Sequence, residues 1–364
     1  MSSPMAVSPS ETKAFRHRWR SLVCASLLFA ALICGAALAQ ETRYFRIGTA
    51  ATGGSFFEIG GVIAGAISGP LDAPGCEQGG SCGVRGLVAV AQATPGSVEN
   101  LRLINEGQLE SGFAQSDLAG WAYRATGDFT GSAPMSKLRA IASLFPEAAH
   151  LVVLADSPIR SLAGLKGKRV SVGEAGSGSA ADAKVLLAAA GLGEKDVTRK
   201  YLRPAPAAEE LKSGSIDAFF LVGGTPIPAI RDLAKSTPIR LVPLDGEILE
   251  ALKKDFTFYH RAVIPAGAYP GVDAETPSLG FYAIWVVNAD VDDALVYAIT
   301  KSLWHERTAK LLASLDPIGQ RFRVDRALNG MSVPLHSGAE RFYREAGLPV
   351  DTAPQPEPRE VKDK

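Results

Sequence analysis

The 364 residues, 46% hydrophobic and 21% charged, suit a folded chain of about two domains and exclude collagen-like, disordered or repeat-only architectures. Lysine plus arginine and aspartate plus glutamate number 38 each. With no basic excess to draw a phosphate backbone, nucleic acid is not an expected partner.

The first forty residues stand apart. Arg16, Arg18 and Arg20 precede an apolar run from Ser21 to Ala39 that closes on Ala37-Leu38-Ala39. This is the order of a secretory signal (residues 1–39), with cleavage after Ala39 and a periplasmic mature chain. An uncleaved anchor is the rival, because the run is nearly long enough to span a bilayer. A lipid on Cys34 is disfavoured by Ile33 before it. Removing Lys13, Arg16, Arg18, Arg20 and Glu11 turns 38 and 38 into 34 basic and 37 acidic residues, a net charge of −3.

Strand and helix signals then alternate. Tyr44 to Gly48 is a short strand feeding Thr52-Gly53-Gly54-Ser55, which opens a helix through Ile67. The segment from Gly69 to Gly86 looks like a surface insertion. Its Cys76 and Cys82, six apart in a glycine-rich loop, read as a disulfide that contributes about 2 kcal/mol on the loop-entropy model. A two-cysteine metal site is the alternative and lacks further ligands nearby in the sequence.

Leu87 to Ala91 is the next strand, followed by Thr94-Pro95-Gly96-Ser97 and a helix from Val98 to about Glu106. Gly112 to Gln115 is extended, and Ser116-Asp117 can cap the helix that carries Trp121 and Tyr123. Two strand-like runs, Leu138 to Leu144 and His150 to Leu154, come next. The rhythm resumes with a strand at Arg169 to Val172, a glycine-serine loop and a helix to Ala190. Arg199 to Leu202, a helix from Pro206 to Ser213, Ala218 to Val222 and a helix from Pro226 follow. An aromatic strand from Phe281 to Asn288 precedes helices between Val291 and about Ala327, with a last helix from Gly338 to Ala346. The charged, proline-rich tail from Thr352 is expected to be disordered.

Strands alternating with helices imply mostly parallel sheets, whose ligands bind beyond the carboxyl ends of the strands. Five turns at those ends lead into helices: Thr52-Gly53-Gly54-Ser55, Thr94-Pro95-Gly96-Ser97, Gln115-Ser116-Asp117, Gly176-Ser177-Gly178-Ser179 and Gly223-Gly224-Thr225-Pro226. Glycine allows close backbone approach, and helix starts offer unpaired N–H donors suited to a carboxylate. Simple helix capping explains any one of them as well.

Catalytic signals are weaker. Gly79-Gly80-Ser81-Cys82-Gly83 has nucleophile-elbow spacing without the strand-turn-helix setting. His150, His260, His305 and His336 show no metal-ligand spacing. Gly173-Glu174-Ala175-Gly176-Ser177-Gly178 reverses the glycine spacing of a dinucleotide loop. An exported enzyme is therefore disfavoured, and no cofactor or metal is expected.

Taken in order, several stretches resemble the TAXI family, the substrate-binding proteins of tripartite ATP-independent periplasmic (TRAP) transporters. They are Ile47 to Ser55, Gly96 to Asn105, Gly112 to Asp117, Leu165 to Gly173 and Ile264 to Gly271. The resemblance implies an α/β, two-lobed periplasmic-binding-protein-like fold of type II with a hinge and a central ligand cleft. It implies lobe 1 from 40–146, lobe 2 from 147–280, a return to lobe 1 over 281–350 and a tail from 351–364. The implied ligand is a small carboxylate or amino acid of the glutamate, glutamine or oxo-acid class, and the implied partner is an integral-membrane TRAP permease. A sensing protein that presents its closed form to a membrane signalling partner would need the same closure.

Carried over by position, the pocket comprises Thr52, Gly53, Gly54, Ser55, Phe56, Phe57, Ser97, Asn100, Gln115, Ser116, Asp117, Glu174, Ser177, Gly178, Ser179, Gly224, Thr225 and Pro226. The family commonly places tyrosine in the aromatic pair occupied here by Phe56 and Phe57. The missing phenol removes a donor and acceptor and bears on ligand identity.

Overall fold

In a computed structural model, the described residues are 41–350, apart from 245, 247–249, 251, 253–258 and 316. The signal and tail expectations fall outside them.

One ten-stranded sheet organises the molecule. Its strands are β1 (Arg43–Gly48), β4 (Leu87–Gln92), β5 (Ser111–Gln115), β6 (Leu138–Leu154), β7 (Arg169–Ser171), β8 (Thr198–Lys200), β9 (Ala218–Gly223), β10 (Ile239–Leu241), β11 (His260–Ile264) and β12 (Thr276–Asn288). The main order is β4-β1-β5-β12-β6-β9-β7-β8, with β10 on β6 and β11 on β12. A separate two-stranded ladder joins β2 (Ser68–Gly69) to β3 (Val84–Arg85) at the base of the Cys76–Cys82 loop.

Parallel pairing, expected for most of the sheet, is confined to its flanks: β1 with β4 and β5, β7 with β8 and β9. The centre is antiparallel because β6 and β12 run through both halves of the sheet. Residues 138–148 of β6 pair with 280–288 of β12, and β9 joins β6 from Ala148 onward. The two runs expected at Leu138 to Leu144 and His150 to Leu154 are therefore one strand of 17 residues, about 55 Å long. Pro146 at its middle is tolerated because β9 has not yet joined on that side.

Helices cover the faces: α1 (Ser55–Ile67), α2 (Ser97–Asn105), α3 (Ser116–Arg124), α4 (Gly178–Ala189), α5 (Pro204–Lys212), α6 (Pro228–Ala234), α7 (Asp293–Leu303), α8 (Glu306–Ala313) and α9 (Ser337–Glu345). Helices α7 to α9 return to the first half, where Val296, Ile299 and Tyr343 join Phe45, Ile59 and Trp285 in one apolar layer. A second layer under the other half contains Phe219, Ile230 and Tyr269. The third spans both halves, with Leu118 and Trp121 of α3 in the same cluster as Leu186 of α4 and Phe220 of β9. Burial of this shared layer holds the two halves together, at about 25 cal/mol per Å² of apolar surface removed from water.

Ser116 and Asp117 do not cap α3 as expected. Gln115 occupies the N-cap without a side-chain cap bond, because Ser116 Oγ accepts from Tyr282 N–H at 3.4 Å and Asp117 is fully buried.

Candidate functional site

The turns that follow β1, β4, β5 and β7 line one partly open cavity of about 50 Å³. At roughly 10 to 15 Å³ per water this is room for a few waters. Of the sequence-derived site residues, Gly54, Ser55, Phe56, Ser97, Gln115, Glu174, Ser177, Gly178 and Ser179 line it, with Gly96, Gly173 and Pro204 beside them.

Three hydroxyls share one arrangement. Ser55 Oγ accepts from Gly224 N–H at 3.1 Å, Ser177 Oγ from Ala180 N–H at 3.1 Å, and Ser179 Oγ from Val222 N–H at 2.9 Å. Each hydroxyl proton has no acceptor among the described residues and stays available as a donor. The starts of α1 and α2, at Ser55 and Ser97, carry no side-chain cap, so their first N–H groups add partial positive charge. The lining therefore offers donors suited to an anionic group. Glu174, beside Arg203 at 3.7 Å, is the ionisable side chain in the lining and suits a cationic or amino group.

Ser97 and Gln115 form the floor. Ser97 Oγ accepts from Gln115 N–H and donates to Gln115 Oε1, both at 3.2 Å, while Gln115 Nε2 donates to Asp182 Oδ2 at 2.7 Å. The Gln115 amide is thereby fixed from both ends. Gly178 is required against it: an added Cβ would stand 1.4 Å from Gln115 Oε1.

Phe56 packs edge-on against Phe113 and Phe145, with centroids 5.6 and 6.2 Å away, and so closes the apolar wall. Phe57 is half-buried outside the lining, and Thr52 is exposed. Gly53, with φ +88, reaches across the cleft, its carbonyl accepting Ala229 N–H at 3.0 Å.

The remaining sequence-derived residues hold the frame. Asn100 Nδ2 donates to the carbonyls of Gly48, Thr49 and Phe113 at 2.7 to 3.1 Å, and its Oδ1 accepts from Thr94 at 2.7 Å. This ties α2 to β1 and β5. Gly224 faces Ile318 and Phe145. Thr225, ahead of the cis bond to Pro226, stands 3.3 Å from His150 Nε2, which accepts the Tyr269 hydroxyl at 2.9 Å. Tyr269 Oη also receives Ile227 N–H, and His150 Nδ1 donates to Ala148 O at 2.9 Å. Burial holds His150 neutral, its pKa lowered to about 4. Sequence reading missed this latch, since residues 150, 225 and 269 share no spacing signal.

The disulfide Cys76–Cys82 forms as expected, outside the cleft. His305, more than two hundred residues away in sequence, brings Nε2 to 4.0 Å from Cys76 Sγ, so a third potential ligand does lie near the cysteines. Its Nδ1 accepts Arg307 N–H, which leaves the ring proton on Nε2 facing the sulfur and not a metal lone pair.

Among known families, the model of the NMT1-like family matches residues 47–347. The chain belongs to the NMT1-like family. The match runs from the end of β1 past α9, so it takes in every turn around the cleft. Similar solved structures include the alkanesulfonate-binding protein SsuA from Xanthomonas axonopodis pv. citri bound to MOPS, with TM-score 0.45, 18% identity, and 85% of this chain and 82% of that one covered. A protein of Bordetella bronchiseptica RB50 gives TM-score 0.47 at 16% identity over 86% and 92% of the two chains. An ancestral arginine-binding protein bound to arginine gives 0.43 at 17% over 78% and 99%. All three are distant. The fold of this NMT1-like chain is α/β, with β6 and β12 as the strands that run through both halves of the sheet.

Proposed function

We propose that this NMT1-like protein is an exported, non-enzymatic solute receptor. It binds a small carboxylate or amino acid by closing its two lobes, divided near 146/147 and 280/281, and delivers the ligand to an integral-membrane TRAP permease. The observation that carries this reading is the set of serine and glycine turns around one cavity, with uncommitted hydroxyl protons at Ser55, Ser177 and Ser179. Those donors and the helix starts suit a carboxylate, and Glu174 suits an α-ammonium group. The ordered resemblance to TAXI proteins supports the transport role. No helix among the described residues is long and apolar enough to cross a membrane.

Closure needs no chemistry. A ligand that contacts both lobes favours the closed state by its differential affinity alone, and a micromolar Kd corresponds to about −8 kcal/mol. Calorimetry on refolded, ligand-stripped protein with L-glutamate, L-glutamine and 2-oxoglutarate tests the reading. Heat and saturation with one of them are expected; no binding across the panel overturns the ligand class.

A further inference from the structure

The loop that carries Cys76 and Cys82 stands outside the ligand cleft and holds chemistry that the receptor reading does not use. Both cysteines are half-buried, and two open hollows of about 560 and 450 Å³ flank their disulfide. These volumes are in the range of small-molecule sites. Cys82 lines both hollows, whereas Cys76 lines only the larger. Arg85 and Lys301 stand in the lining of the larger, Arg307 and Lys310 in that of the smaller, and neither lining contains an aspartate or glutamate among the described residues. Lys310 has Glu306 at 4.0 Å, the outer limit of an ion pair. The surroundings of the disulfide are therefore basic and suit a small molecule with carboxylates.

His305 gives the disulfide a direction. It is the N-cap of α8, where its Nδ1 accepts Arg307 N–H at 3.2 Å, so the ring proton sits on Nε2, 4.0 Å from Cys76 Sγ. Neutral divalent sulfur is a weak acceptor, and a thiolate is a stronger, charged one. The N–H therefore gains most when negative charge arrives on Cys76, which is how a donor assists a leaving thiolate. Other ties hold the loop as well. Its base is the β2–β3 ladder, Ser302 Oγ donates to Cys82 O at 3.2 Å, Ser81 Oγ donates to Ser68 O, and Arg307 Nη1 donates to Gly80 O at 2.5 Å. They keep the cysteines side by side when the S–S bond is open, so that it can close again.

We propose that Cys76–Cys82 is a thiol-exchange site for small thiols that carry carboxylates. The thiolate of the incoming molecule attacks Cys82 Sγ and forms a new S–S bond with it. The Cys76–Cys82 bond breaks, and its electron pair leaves on Cys76 as a thiolate facing His305 Nε2–H. A second incoming thiolate then attacks the sulfur of the first, which forms the external disulfide and releases Cys82 as a thiolate. Over the cycle two thiols are oxidised to one disulfide, the protein disulfide is reduced to a dithiol, and the protons of the two thiols end on the cysteines. Attack falls on Cys82 because that residue is reached from both hollows while the donor waits at its partner.

The test treats the purified, oxidised protein with reduced glutathione and, separately, with glutathione diethyl ester, which has the same thiol without the carboxylates. Samples stopped with acid are read by intact mass and peptide mapping. The first product should carry one glutathionyl group on Cys82 and a free thiol at Cys76. Glutathione should react at least about fivefold faster than the ester, with the gap shrinking in high salt. His305→Ser keeps an N-cap residue on α8 and removes the ring N–H, so it should slow exchange about tenfold with both thiols. If that variant fails to fold, the two wild-type results decide. None of these readouts needs the cleft ligand, so they stand whether or not the receptor reading does. No reaction with glutathione, equal rates with the two thiols, attachment to Cys76, or a folded His305→Ser protein that exchanges as fast as wild type overturns the proposal.

Discussion

The turns at Gly176 to Ser179 and Gly223 to Pro226 are alike as sequence, each with glycines and a hydroxyl residue ahead of a helix, yet they have different fates. The first lines the cavity, where Ser177 and Ser179 keep free hydroxyl protons. The second is packed away: Gly224 meets Ile318 and Phe145, and Thr225 meets His150. What decides is the layer above each turn. Helix α4 opens onto the other lobe, whereas the chain around Ile318 folds over the Gly224 turn, and neither fact is encoded in the turn itself.

That contrast can be broken by mutation. The largest effect is expected from Asn100→Ala, which belongs with the packed class: it removes the amide that donates to the carbonyls of Gly48, Thr49 and Phe113 and accepts from Thr94, leaving the Thr94 hydroxyl only its longer bond to Thr49 O at 3.3 Å. A loss of about 3 kcal/mol in chemical denaturation is expected, since each buried unsatisfied group costs about 1 kcal/mol or more.

Next come the paired glycines. Gly178→Ala forces a Cβ onto the pinned Gln115 amide and obstructs closure, so L-glutamate affinity measured by calorimetry should drop at least about 100-fold. Gly224→Ala drives into Ile318 and Phe145 and should lower stability by about 2 kcal/mol with affinity nearly kept. Equal effects of the two on both measurements would erase the distinction between the turns.

Reduction of Cys76–Cys82 should lower stability by about 2 kcal/mol and leave affinity unchanged, because the loop stands outside the cleft. The smallest effects sharpen the comparison most. Ser177→Gly keeps most of the N-cap function of that position and isolates its hydroxyl, so affinity should fall by about 1 kcal/mol. Thr225→Ala should instead cost about 1 kcal/mol in stability alone. A Thr225→Ala protein that folds normally and binds poorly would return this turn to the ligand site.

Much of the architecture could be read directly from the chain. Alternation of apolar strands with periodic helices located α1 to α5 to within a few residues, and the cysteine pair foretold the disulfide. Periodicity is local and survives folding unchanged. The central strand reads from sequence as two runs, Leu138 to Leu144 and His150 to Leu154, and only the pairing of β6 with β12 and β9 makes it continuous.

The site divides similarly. Hydroxyl and glycine residues at helix starts announced the cleft, since uncapped N–H groups follow from helix geometry alone. Nothing in the helix that reads Gly178-Ser179-Ala180-Ala181-Asp182 distinguishes Asp182 from a solvated acid, because its burial depends on a lobe contributed by residues sixty and more positions earlier. The order of elements, the turn chemistry and the disulfide were thus determined by sequence. Which turns face the cavity, which histidine latches a loop and which carboxyls are stripped of water were decided by tertiary structure, because desolvation and contact belong to neighbours in space.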